Sequence, residues 1–277
     1  MAPSSAHLPG DEGDGRPLAR RTVVVTRPAA QAAALAEPLA ALGATVIVAP
    51  LIEIVPTPLD DELRRVISNL AWYDLVIFTS ANAVEAFVDR LREAGGESVR
   101  AGGVAPDFAH TKLAAIGPKT CAALEQRGLE CALVPDAFVA EGLLAALAAR
   151  GAAVDGSRIL IPRAREAREV LPETLRERGA TVHVVTVYET RAVSALPVSA
   201  DAFTGADFIA FTSSSAVHSL AALLGIGDVL PRLAAVKLCS IGPTTSDTLR
   251  GYGLPVAVEA APHTAEALVA AIVVASG

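Results

Sequence analysis

Short apolar runs rich in β-branched residues alternate along the chain with stretches whose apolar positions recur every three or four residues. The runs are TVVVT (22–26), ATVIVAP (44–50), DLVIFTS (74–80), KLAAIG (112–117) and ECALVP (130–135), then RILIP (158–162), TVHVVTVYE (181–189), DFIAFTS (207–213), KLCSIG (237–242) and PVAVEA (255–260). Runs of this length and composition predict strands; in the first stretch between them Leu35, Leu39 and Leu42 share one helical face. Strand, helix, strand, repeated, predicts an α/β protein with parallel sheets flanked by helices, and the runs fall into two sets of five strands.

The alternation says nearly the same thing twice. FTSANAV (78–84) returns as FTSSSAV (211–217), AIGPKT (115–120) as SIGPTT (240–245), and TRPAAQAAALAEPLAALGATV (26–46) as PRAREAREVLPETLRERGATV (162–182). In the last pair Arg27, Leu35, Leu39 and Gly43 each recur 136 positions later. The protein therefore reads as an internal duplication of one α/β unit, with a cleft expected between the copies. The first copy carries 8 more residues between matched motifs, assigned to the Gly-rich stretch 94–108, which reads as a surface loop in preference to a lid.

Length and composition agree with two domains. The 277 residues suit two units of roughly 100 to 150 each, and an apolar content of 52% supplies two cores. The longest apolar runs, such as ALVAAIVVA (267–275), fall short of the ~20 residues of a membrane span, so a soluble protein is expected. Residues 1–20 lack an apolar signal core and mix acids with Gly and Pro, which predicts a disordered tail. A net charge of −7, with no basic run beyond Arg20-Arg21, argues against nucleic acid as a partner. A polyanionic ligand would have to be held by local donors. Cys121, Cys131 and Cys239 stand apart in the sequence without a CxxC pair and read as small buried hydrophobes in a reducing cytosol.

The informative positions are those where strands hand over to helices. In an open parallel sheet, ligands bind at the carboxyl ends of the strands, where the next helix offers unpaired N–H groups and a positive dipole end. Gly117-Pro118-Lys119-Thr120 and Gly242-Pro243-Thr244-Thr245 have the chemistry of such helix starts: Gly for the tight turn, Pro at the first helical position, Thr to donate or cap. The first-turn N–H groups after Gly242, that of Thr245 included, are expected to be free for a carboxylate. Thr79-Ser80-Ala81-Asn82 and Thr212-Ser213-Ser214-Ser215 read equally as helix caps and as nests for a large anion. GxxxxGK[ST] is absent, and no GxGxxG follows the first strand, so nucleotide readings lose weight.

The usual catalytic constellations are missing. His7, His110, His183, His218 and His263 show no HExxH and no pairing with cysteine, which leaves a metal site unsupported. His183 reads as a strand residue; His263, before the last helix, is read as structural first and as cleft-facing second. No GxSxG marks a serine nucleophile. Tyr188 stands where one copy gives way to the other, and its phenol is either a packing residue with a wet hydroxyl or a donor of a proton or hydrogen bond.

Taken in order, FTSANAV, AIGPKT, ILIPRA, TVYET, FTSSSAV, SIGPTT and APHTAEAL resemble the uroporphyrinogen-III synthase family over about residues 21–277. The resemblance implies two intertwined domains, each a five-stranded parallel sheet: residues 21–51 with 190–277, and residues 52–189. The chain would cross near Leu51-Ile52-Glu53-Ile54 and Val187-Tyr188-Glu189-Thr190, and Glu53 and Glu189 are again 136 apart. It also implies a cytoplasmic, monomeric, cofactor-independent and metal-free hydro-lyase of porphyrin, tetrapyrrole and heme biosynthesis. The substrate would be hydroxymethylbilane, a linear tetrapyrrole with eight carboxylates, handed over by hydroxymethylbilane synthase; neither nucleic acid nor membrane is an implied partner.

The implied chemistry is loss of the terminal hydroxyl to an azafulvene, attack by the substituted carbon of ring D to a spiro intermediate, then fragmentation and reclosure to uroporphyrinogen III. Uncatalysed closure gives the uninverted isomer, so the enzyme mainly has to hold the chain in the reacting geometry. Carried across by motif, Tyr188 would help the hydroxyl leave. Thr79, Ser80, Ala81, Gly117, Lys119 and Thr120 would bind substrate from one domain, and Thr212, Ser213, Ser214, Gly242, Thr244 and Thr245 from the other. Arg27, Arg163, Lys119 and Lys237 are the candidate carboxylate partners, though solvated charge is the plainer reading of any one of them. Two rivals stand beside the enzyme. One is a non-catalytic tetrapyrrole-sensing domain of a regulator, with residues 1–20 left from a fusion linker; the other, a solute-binding protein, is disfavoured by the missing export signal.

Overall fold

The computed structural model describes residues 15–95, 108, 110–149, 154–167, 169–225 and 229–277. In chain order the elements are β1 (Thr22–Val25), α1 (Ala29–Ala41), β2 (Thr45–Val48), β3 (Ile52–Pro56), α2 (Asp61–Ser68), β4 (Leu75–Phe78), α3 (Ala81–Ala94), β5 (Lys112–Ala115), α4 (Pro118–Gln126), α5 (Ala140–Ala149), β6 (Arg158–Ala164), α6 (Val170–Glu177), β7 (Thr181–Ala192), α7 (Ala200–Thr204), β8 (Phe208–Phe211), α8 (Ser214–Leu224), α9 (Val229–Leu233), β9 (Lys237–Ser240), α10 (Pro243–Gly251), β10 (Val256–Glu259) and α11 (Ala265–Ser276). The chain divides into two compact units. Unit 1 runs to Glu53 and resumes over Arg191–Gly277, and unit 2 is Ile54–Thr190.

One five-stranded sheet has the order β10-β9-β8-β1-β2 and the other the order β3-β7-β6-β4-β5. Parallel registers join β1 to β2 and to β8, β8 to β9, β9 to β10, β4 to β5 and to β6, and β6 to β7. In each sheet the strand order reverses once, between β1 and β8 and between β6 and β4. Such switch points leave a crevice at the carboxyl ends of the strands.

Both faces of each sheet are covered, as parallel sheets require. Val24, Ile209, Phe211 and Leu238 pack into one core of unit 1, while Val23, Val25, Phe208 and Ala210 pack into the core on the other face. In unit 2 Val76, Phe78, Leu113 and Leu160 face one core, and Ile77, Ala114, Ile159 and Ile161 the other. At about 1.5 to 3 kcal/mol for each fully buried large side chain, these alternating sets dominate the folding energy.

Both units close the amino edge of the sheet the same way. Asp74 Oδ2 accepts the Arg158 N–H at 2.8 Å, and Asp207 Oδ2 accepts the Thr22 N–H at 2.8 Å. The Asp74 N–H donates to the Arg158 carbonyl and its own carbonyl accepts from Lys112; Asp207 does the same with Thr22 and Lys237. One aspartate thus ties three adjacent strands together before each DxxxFTS run.

Two expectations are corrected. ECALVP (130–135), read as a strand, makes only an isolated parallel bridge between Ala114 and Leu133; Pro135 has no N–H to extend it, and β3 completes the second sheet. The tail read as disordered through residue 20 is packed from Leu18, which is fully buried and whose N–H donates to the Leu42 carbonyl at 2.9 Å. It docks over the end of α1, where Gly43 sits at φ 95° and a Cβ would stand 3.0 Å from Arg16 Cβ. Most of the Gly-rich stretch 94–108 and residues 1–14 lie outside the described residues.

Candidate active site

The residues singled out in the sequence gather mostly at the carboxyl edges of the two sheets, on either side of the switch points. In unit 2 these are the turns after β4, β5 and β6, and in unit 1 the turns after β1, β8 and β9.

In unit 2, Thr79 and Ser80 end β4, and Ser80 caps α3 by accepting the Ala83 N–H at 3.1 Å; Ala81 is the first helical residue. The same Ser80 oxygen lies 3.0 Å from the Tyr188 hydroxyl. Tyr188 is 7% exposed and reaches this position through a local irregularity: Arg163 pairs with Thr186 but Ala164 pairs with Tyr188. The extra residue in β7 turns two successive side chains, Val187 and Tyr188, into the same core. Gly117 caps α4, Thr120 is buried with its N–H on the Gly117 carbonyl at 3.1 Å, and Lys119 is exposed at the second helical position. Arg163 lies at this edge too, yet it is buried and its guanidinium is held by Glu169 at the start of α6.

In unit 1, Thr212 and Ser213 end β8, and Ser213 caps α8 by accepting the Ala216 N–H at 3.3 Å. Ser214 donates to the Thr244 carbonyl at 3.1 Å, joining the β8 turn to the β9 turn. Gly242 caps α10. The Thr245 N–H, expected to be free, donates to the Gly242 carbonyl at 3.1 Å, and the Thr245 side chain is buried. The amide left without an acceptor inside the helix is that of Thr244, one residue earlier and exposed. Arg27 follows β1; its Nη2 bonds Gln31 Oε1 at 3.3 Å, and its buried Nε has no partner among the described residues. Burial lowers the Arg27 pKa, against the raising effect of Glu266.

Some of the supporting structure had no sequence reading. Ser240 and Ser246 are fully buried, with Oγ atoms 2.6 Å apart; Ser240 Oγ accepts the Gly242 N–H at 3.2 Å, and Ser246 donates to Glu259. This chain fixes the Gly242 turn from behind. Its only sequence signal is that SIGPTTS has serines where the matching AIGPKTC has Ala115 and Cys121. His263 lies against Gly242, with Nδ1 2.9 Å from the Ala260 carbonyl.

Other candidates fall elsewhere. Lys237 opens β9 at the opposite edge of the sheet, where Nζ donates to the Ala275 carbonyl at 2.6 Å, so it is removed from the carboxylate partners. His183 is a strand residue, its Nδ1 2.8 Å from the Tyr73 hydroxyl in a cavity of about 520 Å³ that also lies away from the carboxyl edge. The Cys121 thiol lies 3.6 Å from Glu125 Oε1; burial first, and then Cys131, pushes it up to about 12. Among the described residues no cluster of His, Cys, Asp or Glu is arranged to hold a metal ion, and no helix is long and apolar enough to cross a membrane.

The family profile described as uroporphyrinogen-III synthase HemD matches residues 33–270. The uroporphyrinogen-III synthase of Synechococcus elongatus is 35% identical over 265 residues, spanning 93% of this chain and 96% of that protein. Among solved structures, a mutant uroporphyrinogen III synthase of Thermus thermophilus aligns over 92% of this chain and 98% of its own, with a TM-score of 0.57 at 21% identity. The uroporphyrinogen-III synthetase of Helicobacter pylori aligns over 90% and 97%, with a TM-score of 0.58 at 18% identity. Both share the fold.

Proposed function

The chain belongs to the uroporphyrinogen-III synthase family and is a hydro-lyase of porphyrin biosynthesis, and from that premise we propose how its residues handle the substrate. The substrate is hydroxymethylbilane, and each unit, taken by itself, presents carboxyl-edge turns suited to a carboxylate. In unit 1 the Thr244 N–H at the positive end of α10 and the cationic Arg27 serve this role; in unit 2 the Lys119 turn does. Arg163, neutralised by Glu169, positions the edge of β6 and does not bind.

Tyr188 assists departure of the terminal hydroxyl. Its O–H donates to the leaving oxygen while the Ser80 hydroxyl donates to the phenol oxygen, which stabilises negative charge shared between phenol and leaving group. The pyrrole supplies the electron pair that expels the hydroxyl, so a hydrogen bond is sufficient help. The rest of the task is geometric: ring D must present its substituted carbon to the azafulvene, and anchored carboxylates reduce the freedom that would give the uninverted ring. The observation that carries this reading is the 3.0 Å contact of Ser80 with Tyr188 beside the unit 2 switch point. Because the bilane closes spontaneously, transfer from the synthase that makes it within the cytoplasm, to a monomer of this chain, belongs to the same proposal.

The test is to supply fresh hydroxymethylbilane to purified protein and separate the oxidised products by chromatography. Isomer III is expected. Isomer I alone, at the protein-free rate, overturns the reading in favour of a sensor domain.

A further inference from the structure

The two units carry the same turn against different neighbours. A Cβ placed on Gly117 would stand 3.5 Å from Phe138, whereas one on Gly242 would stand 3.1 Å from both Cγ and Nδ1 of His263. Gly117 to Phe138 and Gly242 to His263 are equal steps of 21 residues, so the phenyl and imidazole rings occupy one position of the repeat. Phe138 demonstrates that packing against the turn needs only an apolar ring. An imidazole there adds two nitrogens, and the structure accounts for one of them.

Nδ1 of His263 lies 2.9 Å from the Ala260 carbonyl oxygen. A carbonyl only accepts, so Nδ1 carries the hydrogen in the neutral and in the protonated ring alike. That bond and the contact with Gly242 hold the ring in one orientation whatever its charge. Nε2 is left as the available nitrogen of an exposed side chain at the carboxyl edge of unit 1. The surroundings include two groups that attract an anion: Thr244 offers its N–H at the positive end of α10, and the Arg27 guanidinium, within the field of Glu266, lies at the same sheet edge. The corresponding edge of unit 2 has a phenyl ring for the imidazole, and its arginine, Arg163, is already paired with Glu169.

We propose that His263 is a binding residue for one substrate carboxylate, its imidazolium Nε2–H donating to a carboxylate oxygen beside the Gly242 turn. This assigns to unit 1 a grip that unit 2 lacks, and it rests on the reading of the substrate as a linear tetrapyrrole carboxylate.

The test compares wild type with His263→Phe, which keeps a ring against Gly242, and His263→Gln, which keeps a donor. Thermal melting establishes that each is folded. His263→Phe is expected to raise KM for hydroxymethylbilane by roughly 5- to 50-fold, in the range of one charge-assisted hydrogen bond, with kcat within about threefold of wild type. His263→Gln is expected to lie between the two. The same proteins are titrated with uroporphyrin III, an octacarboxylate macrocycle, by porphyrin fluorescence, where His263→Phe should weaken binding by a similar factor. An unchanged KM and unchanged uroporphyrin affinity in folded His263→Phe overturn the proposal, as does loss of kcat with KM unaltered. Wild type that forms no isomer III contradicts the activity reading by itself, and the uroporphyrin titration then still decides the role of His263.

Discussion

The Oγ of Ser80 accepts the Ala83 N–H at 3.1 Å and lies 3.0 Å from the Tyr188 hydroxyl, so one oxygen both starts α3 and anchors the phenol. Tyr188 cannot be oriented independently of the helix that follows β4. Ser213 makes the equivalent cap in unit 1, to the Ala216 N–H, where the sequence provides no second tyrosine.

Removing either member of this pair should therefore slow the same step. Tyr188→Phe is expected to reduce kcat by roughly 10- to 1000-fold with the fold intact. Ser80→Ala should reduce kcat less and also cost about 1 kcal/mol of stability through the lost cap, whereas Ser80→Thr should keep most of both. The double variant should be little slower than Tyr188→Phe alone, since the two act as one unit. Rate losses that multiply fully in the double variant would contradict the coupling; urea unfolding checks the stability difference.

The two capping glycines should differ in their tolerance of a methyl group. Both are extended, at φ −161° for Gly117 and 169° for Gly242, so backbone strain does not separate them. Gly117→Ala meets Phe138 at an ordinary 3.5 Å, and activity should be nearly unchanged. Gly242→Ala meets the His263 ring at 3.1 Å and must displace it, so KM should rise. Equal behaviour of the two variants in steady-state kinetics would refute the difference in packing.

The amino-edge clamp makes an acid prediction. Bonds from the Arg158 side chain, then its backbone N–H, hold the Asp74 carboxyl down at about 2. An unfolded aspartate titrates near ~3.9. The stabilisation is therefore complete above that value and is lost as pH falls through about 2. Asp74→Asn should melt below wild type at neutral pH, by a small margin because the pair is well exposed, and the gap should close between pH ~4 and ~2. A gap that stays constant over that range, in melts recorded against pH, would mean the charge is not what stabilises.

Thiol chemistry separates the cysteines by environment. Burial pushes the Cys239 thiol up to about 12 despite the lowering pull of Lys237, and Cys121 is raised to a similar value. The thiolate is the reactive form, so both should resist iodoacetamide at pH 8 in the folded protein and react after unfolding. Peptide mass spectrometry of briefly alkylated protein reads this directly; rapid native labelling of Cys239 would be inconsistent with its burial.

Much of this was legible in residue order because repeated local chemistry needs repeated residues. Ser80 and Ser213 announce their helices as caps, and Gly117 and Gly242 precede proline at a first helical position, so the turns could be placed before their surroundings were known. What stayed hidden depends on distant contacts. Leu18 looks like part of a polar tail until the end of α1 is there to receive it. The shift of register that seats Tyr188 has no Gly or Pro within β7, the strand that carries the extra residue, to mark it. Ser240, Ser246 and Glu259 come together only once β9, α10 and β10 are folded, and Thr245 donates its amide to the Gly242 carbonyl, a local choice that composition does not reveal.

The interleaving of the two units also sets an order of assembly. Unit 2 is one continuous stretch, Ile54–Thr190, whereas β1 must wait for β8, where Val23 aligns with Phe208. During synthesis β1 and β2 therefore emerge long before the strand that covers their inner edge, with Val23, Val24 and Val25 still lacking half their partners. Completing unit 2 brings its flanking segments together, since the Val193 N–H reaches the Leu51 carbonyl at 3.2 Å. The long closure from β2 to β8 thus becomes a short one, at a much smaller loss of chain entropy. The inner copy of the duplication serves as a splint on which the outer copy is finished.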